Sequence, residues 1–387
     1  VILKSARILG SISKIDARRW NALAGPQQPF LRHEFLLAME QSGCAVSRTG
    51  WTPQHLIIES DDGVPVAALP LFRKTHSRGE FVFDFSWASA YAQHGLAYYP
   101  KLLSAVPFTP VRGARLLIGE TANPALSKAL IDAALEFARS EGYSSWHVLF
   151  PTDAAADELE GAGLVLRRDC QFHWFNQSYA SFEEFLSTFT AEKRKKAKRE
   201  RRRVAEAGIE FDTRHGGEMT DELWEAVYGF YADTFYRHGH DPYLNLNFFK
   251  RVASALPDSI MLKIARIGAT PIAAAIFFVG ADALFGRYWG AGGNYHSLHF
   301  ETCYYQGIEY CIERKLQRFE PGTQGEHKVP RGFVPTLTRS AHYIADPRFA
   351  AAIRDFARRE ARGVDEYAAS VNEHVPYHAD IDRELQL

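Results

Sequence analysis

Apolar and polar positions alternate in rhythm along the chain, and one rhythm occurs twice. The first occurrence runs His55-Leu-Ile-Ile-Glu-Ser, a turn at Asp61-Asp-Gly, Val64-Pro-Val-Ala-Ala-Leu-Pro-Leu-Phe72, then Phe81-Val-Phe-Asp-Phe-Ser-Trp87. The second runs Ile260-Met-Leu-Lys-Ile-Ala-Arg-Ile267, a turn at Gly268-Ala, Thr270-Pro-Ile-Ala-Ala-Ala-Ile-Phe-Phe278, a turn at Gly280-Ala-Asp, then Leu284-Phe-Gly-Arg-Tyr-Trp289. β-Branched and aromatic runs bounded by Gly and Asp turns predict an antiparallel three-stranded meander in each. Val-Pro-Val-Ala-Ala aligns with Thr-Pro-Ile-Ala-Ala, so the chain carries one structural plan twice.

After each meander the period changes to that of a helix. In the first copy Asn123 is expected to cap and Pro124 to start a helix. Leu126, Leu130, Ala133 and Phe137 form its stripe, Gly142 ends it, and Trp146-His-Val-Leu-Phe150 is the next strand. In the second copy Phe300, Cys303, Tyr304, Gly307, Ile308, Cys311 and Ile312 form the stripe, followed by a weakly marked strand near Thr323 to Lys328. Further helices are expected at Ile15 to Leu23, Phe30 to Gln41, Leu223 to Phe235 and Arg348 to Arg362. The segment Ala88 to Ile118, rich in Tyr, Pro and His, is a long insertion of the kind that often carries function.

A helix laid across a sheet after a meander predicts an α/β fold with mixed sheets in two tandem domains, and 387 residues suit two cores. The expected division is 1–176, 177–345 and a helical tail 346–387. A net charge of -1 gives no global field for nucleic acid. The longest apolar stretch, Pro271 to Val279, is too short to cross a bilayer. No basic-then-apolar leader opens the sequence, and four cysteines without a CxxC spacing suit a reducing compartment, so a cytoplasmic protein is expected.

Several strings resemble the FemAB family, in particular its FemAB-like predicted N-acyltransferase branch, whose fold is a tandem GNAT fold. They are Ser181-Phe-Glu-Glu-Phe-Leu with the basic run after it, Gly286-Arg-Tyr-Trp-Gly-Ala-Gly, Leu298-His-Phe-Glu-Thr-Cys-Tyr-Tyr-Gln-Gly-Ile-Glu, and Gly325-Glu-His-Lys-Val-Pro-Arg-Gly-Phe-Val-Pro. His94-Gly-Leu-Ala-Tyr-Tyr-Pro-Lys-Leu and Val106-Pro-Phe-Thr-Pro in the insertion are similar to the same branch. The resemblance implies transfer of an acyl or aminoacyl group to an amine. FemAB proteins proper use aminoacyl-tRNA and act on peptidoglycan precursors, whereas the wider GNAT superfamily uses acyl-CoA. No long heptad insertion stands here for the helical arm that some Fem proteins offer to tRNA. Acyl-CoA is therefore the expected co-substrate, with no tightly bound cofactor, and tRNA is the alternative donor.

Acyl transfer needs a held donor, a base for the amine and a partner for the tetrahedral oxyanion. Arg287-Tyr-Trp-Gly290-Ala-Gly292 is similar to the GNAT pattern in which glycine lets backbone N–H groups approach a pyrophosphate. A plain strand-to-helix turn is the alternative. Lys193 to Arg203 has nine basic residues in eleven. As a helix it is basic all round, so it faces water or phosphate, and Lys195 and Arg199 are its candidate donor contacts. A non-catalytic nucleic-acid or peptide-binding module is the rival function for that run.

Glu301 stands three and four residues before Tyr304 and Tyr305, a spacing that predicts one shared helix face and acid–base work. His327 beside Lys328 and Arg331 is a candidate base held neutral by positive charge. Lys328 and Arg331 are candidates for oxyanion or carboxylate binding. His94, Tyr98, Trp289, His299 and Glu326 complete the expected surface for a small-molecule or peptide amine. His296, His299 and Glu301 are close and His-x-x-His spacing can ligate zinc, but no HExxH or cysteine pair supports such a site, and no metal is expected.

Overall fold

The computed structural model describes residues 6–119, 124–323 and 325–378. Two compact units are present: residues 1–169 with 338–365, and residues 170–337 with 366–387. The expected cut at 176 and the separate tail from 346 differ from this division. The first boundary falls inside a continuous strand, Val165–Phe175, and the helix Pro347–Asn372 runs from one unit into the other. An unbroken element leaves no change of composition to mark a boundary.

In the first unit β1 (Arg7–Leu9), β3 (His55–Glu59) and β4 (Pro65–Leu69) form one antiparallel sheet. A second sheet orders β2 (Trp51–Pro53), β5 (Phe72–Lys74), β6 (Lys101–Ser104) and β7 (Ser145–Leu149), next to the end of β14 (Val334–Ile344). Proline has no N–H for a ladder, and Pro70 marks the break between β4 and β5. β6 and β7 run parallel, with Leu103 opposite His147. The helix Pro124–Ser140 joins them and buries Leu130, Ile131, Ala134, Leu135 and Ala138 against Leu102, Trp146 and Val148. Its expected cap, Asn123, lies outside the described residues.

One expected strand is absent. Phe81 to Trp87 is not the third strand of the meander. Phe85–Gln93 is a helix, and the strand that pairs with β5 is β6. The alternation Phe81-Val-Phe-Asp-Phe imitates a strand, but Phe83 and Phe85 point to solvent at 54% and 49% exposure while Asp84 is buried.

In the second unit the order is β8 (Val165–Phe175), β13 (Arg318–Glu320), β12 (Ala283–Ala291), β11 (Thr270–Val279), β10 (Ile260–Ile267) and β9 (Ile209–His215). The meander β10–β11–β12 is antiparallel as its turns predict. A register shift leaves Arg287 as the extra residue of a bulge on β12, because Phe277 faces Gly286 and Ile276 faces Tyr288. The last strand is at Arg318–Glu320, not near residues 323–328, and Glu326–Arg331 is a 3₁₀ turn.

The long helix of this unit is interrupted. Leu298–Phe300 is α-helical, Glu301–Tyr305 is a π turn, and Gln306–Arg314 is α-helical again. Tyr304, Tyr305, Ile308, Cys311 and Ile312 join Phe172, Trp174, Phe277, Leu284, Phe319 and Phe333 in the core. Among the described residues no helix is long and apolar enough to cross a membrane.

Candidate active site

β12 and β13 pair in parallel only over Ala283–Phe285 and Arg318–Glu320. β12 continues to Ala291, so its last turn of chain has an open edge. Gly292 N–H donates to Ile272 O across the ladder at 2.8 Å. The alternation of the ladder therefore turns the N–H groups of Trp289 and Ala291 toward that open edge. The Trp289 carbonyl on this edge accepts from Thr234 Oγ1 at 3.0 Å, and the Ala291 carbonyl accepts from Arg237 at 3.1 Å.

A groove of about 330 Å³ opens here, lined among others by Thr234, Arg237, His238, Trp289, Tyr295 and His299. A second hollow of about 520 Å³, with Asp233, Tyr236, Gly292 and Asn294 in its walls, shares Arg237 with it. This is the size range of small-ligand sites.

Gly290 is not part of a phosphate cradle. It sits inside β12 opposite Ala274, and a Cβ there would lie 1.9 Å from the Phe230 carbonyl of helix Asp221–Arg237. Glycine at this position serves the close packing of helix on strand. Gly292 does line the larger hollow, although its own N–H is used in the ladder. Arg287 is half-buried with its guanidinium 5.5 Å from the Tyr288 ring centroid.

His299 carries the groove into a cluster of rings. Its centroid lies 5.5 Å from Trp289, 5.4 Å from Tyr304 and 5.9 Å from His327. Burial first, then the nearby His327, Arg331 and Lys328, push His299 down to about 4, so it is neutral at pH 7. Burial holds the Tyr304 phenol well above its usual range. The hydroxyl keeps its proton and lies 2.7 Å from His327 Nε2, a hydrogen bond whose donor follows from the imidazole tautomer. Burial, Lys328 and Arg331 also lower His327. Gly325 is required beside it, since its φ is +110° and a Cβ would lie 2.2 Å from the imidazole.

Lys328 is buried, and Nζ donates to the Gly322 carbonyl at 2.6 Å. Burial pushes this ammonium down to about 7; Arg287 acts in the same direction and Cys303 against it. Arg331 is locked by a two-point contact to Glu200, at 2.7 and 3.1 Å. It also lies over the Phe300 ring at 3.4 Å and donates to the His327 carbonyl. Glu200 thereby fixes the turn that presents His327 and Lys328. This is a function the sequence hid inside the basic run.

The expected Glu301–Tyr304–Tyr305 face is split. The π turn widens the repeat, so Glu301 and Tyr305 turn to helix Ala191–Glu206 while Tyr304 turns to His327. Glu301 is buried and accepts from Arg201 at 3.2 Å and from Gln306 at 2.8 Å, while burial raises its carboxyl above the usual range. Tyr305 donates to Glu200 at 2.7 Å. Only Tyr304 reaches His327. The basic helix, Ala191–Glu206, is likewise not basic all round, because Ala197, Glu200 and Val204 face inward. Lys195 and Arg199 are exposed on it.

Three other expected site residues stand apart from the groove. Tyr98 is buried in the first unit, donating to Asp84 at 2.6 Å and 3.0 Å from His147 Nε2. His94 is exposed, with Nδ1 2.8 Å from Ala90 O. Glu326 accepts from Tyr367 at 2.8 Å. Sequence reasoning missed Arg237, His238, Asn294 and Tyr295. For Arg237 and His238 the one signal, basic residues at the end of a helix, also serves the helix dipole. Among the described residues no three His, Cys, Asp or Glu side chains converge on a metal position.

No protein of curated function matches the sequence. Solved structures do. FemX superposes with a TM-score of 0.53 at 12% identity, over 88% of this chain and 98% of that one. The C-terminal domain of a putative lysylphosphatidylglycerol synthetase from Agrobacterium fabrum superposes with a TM-score of 0.52 at 12% identity, over 91% and 97%. A tandem GNAT protein from the clavulanic acid biosynthesis pathway covers 89% of this chain and 99% of its own at 11% identity, with a TM-score of 0.45. At these identities the likeness is one of fold, a mixed α/β architecture shared with FemX and the synthetase domain. The family model for FemAB-like proteins of peptidoglycan biosynthesis/recognition matches residues 11–379, nearly the whole chain, and the protein belongs to that family.

Proposed function

We propose that the chain is an N-acyltransferase that moves an acyl group from an activated donor, acyl-CoA by preference, to an amine bound in the second unit. Family and fold support an acyl-type transferase in general. The observation that carries the finer reading is the open edge of β12 beside a groove lined by His299, whose ring lies 5.4 Å from Tyr304 and 5.9 Å from His327. The Trp289 and Ala291 amides suit an extended donor arm. His327, neutral and held by Tyr304 in the tautomer whose Nε2–H donates to the phenol oxygen, takes the proton from the attacking ammonium on Nδ1. Lys328, in its charged form, faces the oxyanion of the tetrahedral intermediate. The exposed cations of helix Ala191–Glu206, Lys195 and Arg199 among them, suit the phosphates of the donor.

Aminoacyl transfer from tRNA is the second reading, favoured by the likeness to FemX and by the same basic helix. Thermal-shift titrations with acetyl-CoA and with aminoacyl-tRNA separate the two, since only a ligand of the native state raises the midpoint. Stabilisation by acetyl-CoA alone supports the first. Stabilisation by the charged tRNA alone replaces it with the second.

A further inference from the structure

The outer face of helix Ala191–Glu206 is a ridge of exposed cations, Lys195, Lys196, Lys198, Arg199, Arg202 and Arg203. The ion pairs of this helix are made by Lys198, Glu200, Arg201 and Arg202, and among the described residues Lys195, Lys196 and Arg199 make none. Arg199 stands one helical turn from Lys195 and Lys196 on one side and from Arg202 and Arg203 on the other. Like charges at this spacing repel and weaken the helix that carries them.

The inner face holds the candidate reaction site. Glu200 is buried, and its carboxylate accepts from Arg331 at 2.7 and 3.1 Å and from the Tyr305 hydroxyl at 2.7 Å. One side chain thus joins the 3₁₀ turn Glu326–Arg331 to the π turn Glu301–Tyr305. Arg201, next in sequence, donates to Glu301 at 3.2 Å and to Glu309 at 2.9 Å, and its guanidinium lies 4.3 Å from the Phe182 ring centroid. The two turns held in this way carry His327 and Tyr304, which meet at 2.7 Å. Arg199 on the ridge is bonded directly to Glu200. Phosphates on the ridge offset its repulsion, and order gained by the helix passes through Glu200 and Arg201 to both turns.

Resting on the acyl-transfer reading above, which gives the outer cations to the phosphates of the donor, we infer that helix Ala191–Glu206 is a phosphate-operated clamp. Occupancy of its outer ridge orders the Tyr304–His327 pair, and Glu200 is the positioning residue that transmits the effect. The base is then fully set only when a phosphorylated donor is bound, a form of induced fit.

The test uses the full chain and inorganic tripolyphosphate, which has phosphate charge but no acyl or pantetheine group to enter the groove. Its affinity is measured by calorimetry. Hydrogen–deuterium exchange is followed at the Lys328, Gly332 and Phe333 amides at the 3₁₀ turn and at Gln306, whose N–H donates to Glu301 O across the π turn. Sodium chloride of equal ionic strength is the reference. Tripolyphosphate is expected to slow exchange at both turns about fivefold or more. Replacing Lys195, Lys196 and Arg199 together by Gln is expected to remove both binding and slowing. Glu200→Gln is expected to keep the affinity within a few-fold and lose the slowing at both turns. Tyr305→Phe removes one contact of Glu200 and serves where Glu200→Gln does not fold; it is expected to lose the slowing at Gln306 and keep it at Lys328. No binding, binding without slowing in the wild type, or slowing that survives these replacements overturns the clamp. If the slowing follows the expected pattern while neither acetyl-CoA nor aminoacyl-tRNA yields an acylated amine, the clamp stands and the transfer reading falls. Transfer by a chain whose two turns ignore tripolyphosphate keeps the transfer reading and ends this one.

Discussion

Lys101 in the first unit and Lys328 in the second are both buried, yet their surroundings are opposite. Lys101 is fully enclosed and donates to Glu80 and Ser77 at 2.8 Å each and to Asp84. Despite its burial the two carboxylates hold its ammonium above the usual range. Tyr98, His147 and His342 extend the network, with the two imidazoles 2.6 Å apart at Nδ1. Lys328 has one carbonyl partner, and it sits beside rings that lead to an open groove. The first cluster spends its charges on one another and so fixes a core. The second leaves a cation and an imidazole without a charge partner, next to space for a ligand. Perturbed groups mark a reaction site when they adjoin a cavity, and mark structure when they are sealed and paired.

The largest expected effect falls on the sealed cluster. Lys101→Met removes the cation that contacts both Glu80 and Asp84 and leaves only Lys74, 3.9 Å from Glu80, and breaking a buried pair costs about 3–5 kcal/mol. Urea unfolding should report that loss, with kcat/KM of the folded fraction staying within a few-fold of wild type. A variant that keeps its stability and loses turnover would move the chemistry into the first unit.

Next comes the open cluster. Lys328→Met is expected to lower kcat about 10²- to 10³-fold, the scale of a lost oxyanion partner, with the unfolding midpoint kept or raised because a buried cation is removed. Steady-state kinetics and the same urea titration decide it. Gly290→Ala is smaller: its methyl would press on the Phe230 carbonyl, and overpacking of this kind costs about 1–3 kcal/mol. That outcome assigns the glycine to packing, whereas loss of donor affinity at unchanged stability would return it to the donor site.

The smallest effect is a shape in the pH profile. Burial brings Lys328 to about 7, so its ammonium is lost as pH rises through that value. If the charged form serves the oxyanion, kcat/KM bends down there, and Lys328→Arg, which stays charged, removes the bend. An upward bend abolished by the same variant would make Lys328 the base. The linkage to stability has the opposite sign. Between about 7 and the ordinary lysine range the unfolded chain binds more protons than the native one, so this group adds stability as pH rises across that window.

Much of the second unit was legible in the sequence. Gly and Asp turns bracket β10, β11 and β12, and the helix expected at Leu223 to Phe235 is present as Asp221–Arg237. His299, Tyr304, His327, Lys328 and Arg331 were found by residue type and do assemble. Glu301 and Tyr305 were misread because an α-helical period was applied across a π turn, which no local propensity announces. The basic helix was misread because its sole internal acid, Glu200, was averaged away among nine cations. Arg237 was invisible because its meaning depends on what the far end of β12 places opposite it. In the first unit, Phe81 to Trp87 alternates as a strand does, and only the burial of Asp84 against Lys101 overrides that pattern.

The account rests on where the donor binds. Hydrogen–deuterium exchange of the wild-type chain, with and without saturating acetyl-CoA and, separately, aminoacyl-tRNA, reads this directly. Slowed exchange at residues 289–299 with one of these donors, and unchanged exchange at residues 98–104 and 145–149, is the predicted result. Protection confined to the first unit, or at neither place with either donor, would contradict it.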